Sequence, residues 1–141
     1  MSRYRFALIG GDLRSSRLGE MLEEGGHQVV RYALEGGKIG VQYNRCASVM
    51  EASGQADILV GPVPLTTDGY TLNTPLHVGE VFLSELVKGI YKGKIFIAGA
   101  IPHSVREPLE HGGVIVEAVY PAILECDALI VLCPNYNDAV S

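Results

Sequence analysis

The sequence contains no tryptophan, few charged residues and no long hydrophobic run. None of its apolar stretches approaches the roughly 18 to 20 residues of a membrane-spanning helix, and the stretch 6–9 ends at two glycines, so no export signal is visible. Lys and Arg number 11 against 16 Asp and Glu, which gives a net charge of −5 and no basic surface for nucleic acid. These features predict a cytoplasmic protein that binds neither nucleic acid nor membrane.

Thiols and metal-ligating side chains are also scarce. The three cysteines, Cys46, Cys126 and Cys133, form neither a paired disulfide framework nor a C-x-x-C motif. His27, His77 and His111 lack the i, i+4 pairing and the nearby carboxylates that a metal site requires. We therefore expect buried or incidental thiols and predict no metal site.

Short apolar runs separated by glycine-rich turns are abundant in this chain. With 141 residues, of which 48% are hydrophobic, the chain has the size and composition of one globular domain. The runs are continuous rather than alternating, which is typical of strands buried on both faces of a parallel sheet. The predicted strands are 4–9, 27–33, 57–60, 94–98, 114–119 and 127–132.

Helical patterns occur between these runs, at 14–24, 46–52, 78–91 and 104–111. Gly25 and Gly26 end the first helix, and Ser104 is expected to cap the last, with Glu107 three residues later. Strands that alternate with helices predict a single-domain α/β fold with a doubly wound, mainly parallel sheet, flavodoxin-like and Rossmann-related, in three α/β/α layers. Ligands bind at the carboxyl ends of such strands, which directs attention to the loops after Ile9, Val60 and Ala98.

The first loop, 10–15, resembles a dinucleotide fingerprint only superficially. Asp12 and Ser15 stand where G-x-G-x-x-G has its second and third glycines, and a carboxylate at that point repels phosphates. Three interpretations remain: Asp12 caps the helix beside a solvated Arg14, either residue faces a ligand, or the turn binds a nucleotide.

The second loop, 61–75, is unusually long for an α/β connection. Pro62 and Pro64 restrict its backbone, and Thr66 and Thr67 offer neutral donors to a carboxylate or carbonyl. The loop is therefore either a substrate wall or a mobile surface excursion.

The third loop, 98–103, places Gly99 where a strand ends and backbone can approach a ligand. His103 follows it, either as a base or, as we favour, as an exposed residue at the start of a helix.

Three motifs occur in order along the chain: Ala7-Leu8-Ile9-Gly10-Gly11-Asp12 with Arg14, Pro62-Val63 followed by Thr66-Thr67 and Gly69, and Ile95-Phe96-Ile97-Ala98-Gly99. In this order and approximate spacing they resemble the N-terminal domain of the dipicolinate synthase A subunit, through about Leu132. An Asn-Ala-x-Pro-Thr stretch of typical members is replaced here by Cys133-Pro134-Asn135-Tyr136-Asn137. The resemblance stops there.

The resemblance implies part of a two-domain oxidoreductase. Residues 1–141 would form the substrate-side domain, and the Rossmann domain that binds NAD or NADP would be absent from this chain. The complete enzyme would oxidise a dihydrodipicolinate-type intermediate to dipicolinate during sporulation, and its partner would be the B subunit of dipicolinate synthase. The chain alone would bind no cofactor and would not turn over substrate.

The site expected from this resemblance neutralises a small dicarboxylate. Arg14 is the expected charge partner, glycine amides and threonine hydroxyls are the expected donors, and Asp12 either orients Arg14 or accepts a proton. The substrate-binding candidates are Gly10, Gly11, Asp12, Arg14, Pro62, Val63, Thr66, Thr67, Gly69 and Gly99. No catalytic residue is assigned.

A second hypothesis is a noncatalytic module that binds a small molecule or a partner protein. Loops left uncovered by a missing domain favour contact with another surface, so a homodimer is one expected outcome.

Overall fold

One parallel sheet organises the chain in the computed structural model, which describes residues 3–35 and 45–119. Its strands are β1 Arg5–Ile9, β2 Gln28–Tyr32, β3 Ile58–Val60, β4 Ile95–Gly99 and β5 Ile115–Val119. They lie in the order β2-β1-β3-β4-β5, and every neighbouring pair is parallel. This is the flavodoxin-like strand order, and it confirms the predicted fold class. The predicted strand 127–132 lies outside the described residues.

Four helices connect these strands in the described part of the chain: α1 Leu13–Glu24, α2 Val49–Gln55, α3 Leu83–Gly89 and α4 His103–His111. None of these helices has the length and apolarity needed to cross a membrane.

The helices lie on both faces of the sheet, as a doubly wound fold requires. Side chains of a strand alternate between the two faces, so Leu8 and Ile9 point in opposite directions. Leu8 packs in a cluster with Leu18 and Leu22 of α1. Ile9 belongs to a larger cluster that includes buried residues of α2, α3 and α4. The sheet is therefore buried between α1 on one side and the other three helices on the other.

Helix α3 is shorter than the predicted helix 78–91. The backbone of Phe82 is extended and forms an antiparallel bridge with Thr71, and Leu83 N donates to Tyr70 O at 2.9 Å. Because these bonds hold the segment before Leu83 against the loop after β3, the helix begins only at Leu83. Helical spacing of apolar residues does not reveal such a tertiary bridge.

Helix α2 is displaced toward the C-terminus relative to the predicted 46–52, because its cap lies within that range. Ser48 Oγ accepts a hydrogen bond from Glu51 N at 3.0 Å, and Glu51 Oε2 accepts one from Ala47 N at 2.9 Å. This pair resembles a capping box, except that the Glu51 side chain reaches the N–H of the residue before the cap, and it fixes the start of the helix at Val49.

The predicted cap of the last helix is wrong. Pro102 is the N-cap residue of α4, its side chain makes no capping hydrogen bond, and the helix starts at His103, one residue before the predicted start. The N–H groups of Val105 and Arg106 both donate to Pro102 O, at 2.9 and 3.0 Å. The turn that ends β4 therefore leads directly into the helix, and Ser104 lies inside its first turn.

Candidate functional site

The loop after β1 turns sharply through two glycines before α1 begins. Gly10 and Gly11 have φ angles of 67° and 110°, a region that side chains rarely adopt. A Cβ atom on Gly11 would lie 2.0 Å from Ser15 Oγ. Glycine is therefore required here by the packing of the turn on the first turn of α1, independently of any ligand.

Asp12 caps α1, and it also holds Arg14. Its Oδ1 accepts a hydrogen bond from Arg14 N at 2.9 Å, which confirms the capping interpretation. Both carboxylate oxygens accept from Arg14 Nε at 3.2 Å, and Oδ2 accepts from Nη2 at 3.1 Å. Arg14 is thus not merely a solvated neighbour of the cap, because Asp12 fixes its guanidinium group.

A second loop completes the restraint on Arg14. Its Nη2 donates to the carbonyl oxygen of Val63 at 3.0 Å, which joins the loop after β1 to the loop after β3. These strands are neighbours in the sheet, and β1 and β3 flank the point where the strand order reverses. The guanidinium therefore lies at the topological switch point, where flavodoxin-like folds bind their ligands.

A small cavity of about 50 Å³ lies beside this guanidinium. Most of its surface is apolar, and Arg14 and Asp12 are the only charged residues among those described that line it. Typical ligand pockets have about 300–1,000 Å³, so this cavity holds only part of a small molecule. The lining residues are Asp12, Arg14, Ser15, Leu18, Val60, Gly61, Pro62, Val63, Asn73, Ile97, Ala98 and Val119.

The pKa of the Asp12 carboxyl is lowered overall. Partial burial by itself raises the pKa, but hydrogen bonds and the positive charge of Arg14 outweigh that effect. Asp12 is therefore a stable carboxylate at neutral pH. This state favours its role in orienting Arg14 over the alternative of proton acceptance.

The glycine amides expected to bind a ligand already have partners within the chain. Gly10 N donates to Tyr32 O at 2.8 Å, Gly11 N to Asn73 O at 3.0 Å, and Gly99 N to Pro62 O at 3.3 Å. In this structure each of the three N–H groups is therefore engaged by a backbone carbonyl of the chain itself. These hydrogen bonds tie the loop after β1 to the end of β2 and to the loop after β3, and they tie the loop after β3 to the end of β4.

The threonines of the second loop do not reach the cavity. Thr66 Oγ1 donates to Asp68 Oδ1 at 3.2 Å and accepts from Gly69 N at 3.0 Å, while Thr67 is exposed. Asp68 also accepts hydrogen bonds from the N–H groups of Tyr70 and Thr71. This turn gives the loop internal order, and it keeps Thr66, Thr67 and Gly69 out of the cavity wall.

Of the ten predicted residues, the cavity brings together Asp12, Arg14, Pro62 and Val63. Sequence reasoning missed Ser15 and Asn73, which contribute further polar groups to the lining. Asn73 lies within the loop selected for its length, and its Nδ2 donates to Pro64 O at 3.1 Å. The side-chain amide of Asn73, in a loop rich in hydroxyl groups and prolines, is the feature of the sequence that could have identified it.

The remaining candidates lie outside this cavity. His103 is exposed at the start of α4 and pairs with Glu107, in agreement with the interpretation of a helix-start residue. Within residues 3–35 and 45–119, no group of three or more His, Cys, Asp or Glu side chains is arranged to hold a metal ion.

The parallel sheet, its strand order and the crevice at its switch point define a Rossmann-related α/β protein with the fold of dehydrogenase domains. The sequence model of the N-terminal domain of the dipicolinate synthase A subunit matches residues 5–119. The chain belongs to this family.

Solved structures of two family members share the fold. The A chain of dipicolinate synthase from Bacillus subtilis matches with a TM-score of 0.67 and 17% identity, over 87% of this chain and 43% of that one. The dipicolinate synthase A subunit from Bacillus halodurans matches with a TM-score of 0.64 and 13% identity, over 81% of this chain and 39% of that one. The chain thus spans less than half the length of either protein.

A third similar structure is D-lactate dehydrogenase with NAD⁺ from Lactobacillus jensenii. Its TM-score is 0.51 at 15% identity, over 84% of this chain and 36% of that one. A comparison with curated proteins gives no significant match.

Proposed function

We propose that this chain is the substrate-side domain of an oxidoreductase that forms dipicolinate from a dihydrodipicolinate-type intermediate during sporulation. Its role is to bind the carboxylate end of the substrate at the switch point of the sheet. Family membership supports the substrate class, and the dehydrogenase-like fold supports the reaction class.

The position of Arg14 is the observation that carries this proposal. Asp12 and the carbonyl of Val63 hold the guanidinium group at the carboxyl edge of the sheet, beside an apolar cavity. A positioned arginine next to an apolar wall is suited to a planar carboxylate ligand, because the charge binds the carboxylate and the wall takes the ring. The described cavity residues thus offer a partner for one carboxylate of an aromatic dicarboxylate and an apolar surface for its ring.

In this proposal the nicotinamide cofactor binds to another domain and this chain binds only the substrate. Oxidation of the dihydro ring transfers a hydride to NAD⁺ or NADP⁺ and releases a proton, with the nicotinamide carried by another domain. Asp12 occupies the position where a dinucleotide fingerprint requires a glycine, and its carboxylate opposes a pyrophosphate. The chain's own contribution is to hold the ring in place, which lowers the entropic part of the barrier.

The proposed setting follows from the same family. We propose that the protein acts in the cytoplasm together with the B subunit of dipicolinate synthase. Membership of a family named for one subunit of this synthase supports the choice of partner.

A thermal-shift titration of the chain with dipicolinate, NAD and NADP tests the proposal. A ligand at about one hundred times its Kd stabilises a protein by about 2.7 kcal/mol, which is readily visible. We expect a shift with dipicolinate and none with either nucleotide. Arg14→Ala should weaken dipicolinate binding by about 1.5–3 kcal/mol, because it removes a charge-assisted hydrogen bond.

Arg17→Ala is the matched control. Arg17 lies on the same helix, but it is exposed and pairs with Glu20 and Glu24 away from the cavity. Its loss should leave dipicolinate binding unchanged. A shift with a nucleotide alone would contradict the proposed division of labour, and no shift with any ligand would favour a noncatalytic interaction module.

A further inference from the structure

Most hydrogen-bond donors of Arg14 are already engaged. Nε donates to both oxygens of Asp12, and Nη2 donates to Asp12 Oδ2 and to Val63 O. A guanidinium group has five N–H donors, of which these contacts engage the three on Nε and Nη2. Among the hydrogen bonds of residues 3–35 and 45–119, none involves Nη1. A ligand therefore meets one nitrogen of Arg14 rather than the two-pronged edge that clamps a carboxylate.

The charges around the cavity limit what that nitrogen can hold. Arg14 is the only cation among the described lining residues, and the Asp12 carboxylate lies within 3.2 Å of it. The pair is neutral before a ligand arrives. One ligand carboxylate finds a donor at Nη1, whereas a second one would face Asp12 with no positive partner and would be repelled.

The size of the cavity leads to the same conclusion. Its volume of about 50 Å³ is well below that of a pocket that encloses a small molecule. Its walls beyond Arg14 and Asp12 are mainly the apolar side chains at the ends of β3 and β4. These walls accommodate a ring edge next to the bound carboxylate.

We propose that this domain binds only one of the two carboxylates of its substrate, through Arg14 Nη1, and that Asp12 excludes the other. This inference rests on the function proposed above and specifies its substrate site. The second carboxylate then takes its positive partner from outside this cavity. Asp12 is a positioning residue for Arg14 and a determinant of charge selectivity.

Calorimetric titration of the 141-residue chain in metal-free buffer tests the inference with two matched ligand pairs. Dipicolinate is compared with picolinate, its analogue with one carboxylate, and isophthalate with benzoate, which lack the chelating ring nitrogen. A site that binds one carboxylate and repels the second should favour the symmetric dicarboxylates by no more than the statistical factor of about two. Arg14→Ala should weaken both members of each pair by about tenfold or more.

Asp12→Asn provides a readout that a purely structural role would not change. Asn retains an oxygen that accepts the hydrogen bond from Arg14 N, so the cap remains while the negative charge is lost. We expect dicarboxylates to gain affinity relative to monocarboxylates in this variant. Asp57→Asn is the control, because Asp57 pairs with Arg5 before β3 begins, at the opposite edge of the sheet, and should leave the ratio unchanged.

The outcomes separate this inference from the proposed function. A preference of about tenfold or more for dicarboxylates in the unchanged chain would overturn the inference and leave the proposed function intact. An unaltered ratio in Asp12→Asn would overturn the selectivity assigned to Asp12. Binding of none of the four ligands would overturn both proposals.

Discussion

Gly99 at the end of β4 lies so close to Val63 that a Cβ atom on Gly99 would be 2.5 Å from Val63 Cγ1. Two backbone hydrogen bonds accompany this contact, from Gly99 N to Pro62 O at 3.3 Å and from Leu65 N to Gly99 O at 2.9 Å. Because the carbonyl of Val63 binds Arg14, the small volume of Gly99 determines where one of the partners of the guanidinium lies.

Gly99→Ala is expected to destabilise the protein by about 1–3 kcal/mol, since the added methyl group overpacks against Val63. Chemical denaturation measures the change in the free energy of unfolding. Gly54→Ala is the matched control, because Gly54 lies in α2 and a Cβ there would meet its nearest neighbour at 3.6 Å. That substitution should stabilise the protein by up to about 1 kcal/mol through helix propensity. Equal stability of Gly99→Ala and the unchanged chain would show that the loop accommodates the methyl group.

The ion pair between Arg31 and Glu23 should make a substantial contribution to stability. Arg31 lies on β2 with 2% of its surface exposed, and its two terminal nitrogens donate to Glu23 at 3.2 and 2.8 Å. Glu23→Ala leaves this buried cation without its partner and should lower the free energy of unfolding by about 1–3 kcal/mol. This loss is smaller than that expected for a fully buried ion pair, because Glu23 is partly exposed.

Glu24→Ala serves as the comparison for that measurement. Glu24 is one residue away on α1, but its side chain is 66% exposed and its contact with Arg17 is 3.4 Å long. We expect little change in the denaturation midpoint. If Glu23→Ala lowered the denaturation midpoint no more than Glu24→Ala does, the ion pair of Arg31 would contribute no more to stability than an ordinary surface contact.

The strands and α1 could be predicted because their signals are local. Continuous apolar runs mark β1 through β5, and Asp12 precedes α1 as a residue that can cap a helix. The start of α3 could not be predicted, since it depends on the bridge from Phe82 to a loop residue that is distant in sequence. Local pattern therefore gives the fold class but not every helix boundary.

In the candidate site, too, residues with local signals could be predicted from the sequence, whereas contacts between distant segments could not. Asp12 and Arg14 were identified because they are neighbours in one turn, whose hydrogen bonds are local. The sequence favours a ligand for the glycine amides because it does not show that carbonyls elsewhere in the fold already accept their hydrogen bonds. The sequence does not reveal Asn73 for a related reason, because its place in the cavity lining depends on how a long loop folds back.

The contribution of Asp12 to stability should depend on pH. Its pKa in the folded protein is lowered, so folding favours the ionised form. This stabilisation is complete above the pKa that the group has in the unfolded chain, and it is lost as the pH falls toward the folded value. The difference in Tm between the unchanged chain and Asp12→Asn should therefore shrink from about pH 7 to about pH 3. A constant difference would mean that the charge of Asp12 does not contribute.

Tyr32 should give the opposite dependence at alkaline pH. Burial raises its pKa to about 12, and Glu85, which accepts the phenol hydrogen bond at 3.4 Å, contributes to the same rise. An unfolded tyrosine ionises near about pH 10, so the folded state keeps a proton that the unfolded state loses. The stabilisation is present below about pH 10 and falls as the pH rises toward 12.

Phenolate absorbance during an alkaline titration measures this effect directly. Among the tyrosines that the structure describes, Tyr32 should titrate later than an exposed tyrosine does. Tyr32→Phe should remove that late component and flatten the fall in stability above about pH 10, because the unfolded state then has no such proton to lose. Tyr70→Phe is the control, since Tyr70 is 77% exposed and its loss should leave the late component in place. If the late component disappeared with Tyr70 instead, burial beside Glu85 would not be the source of the shift.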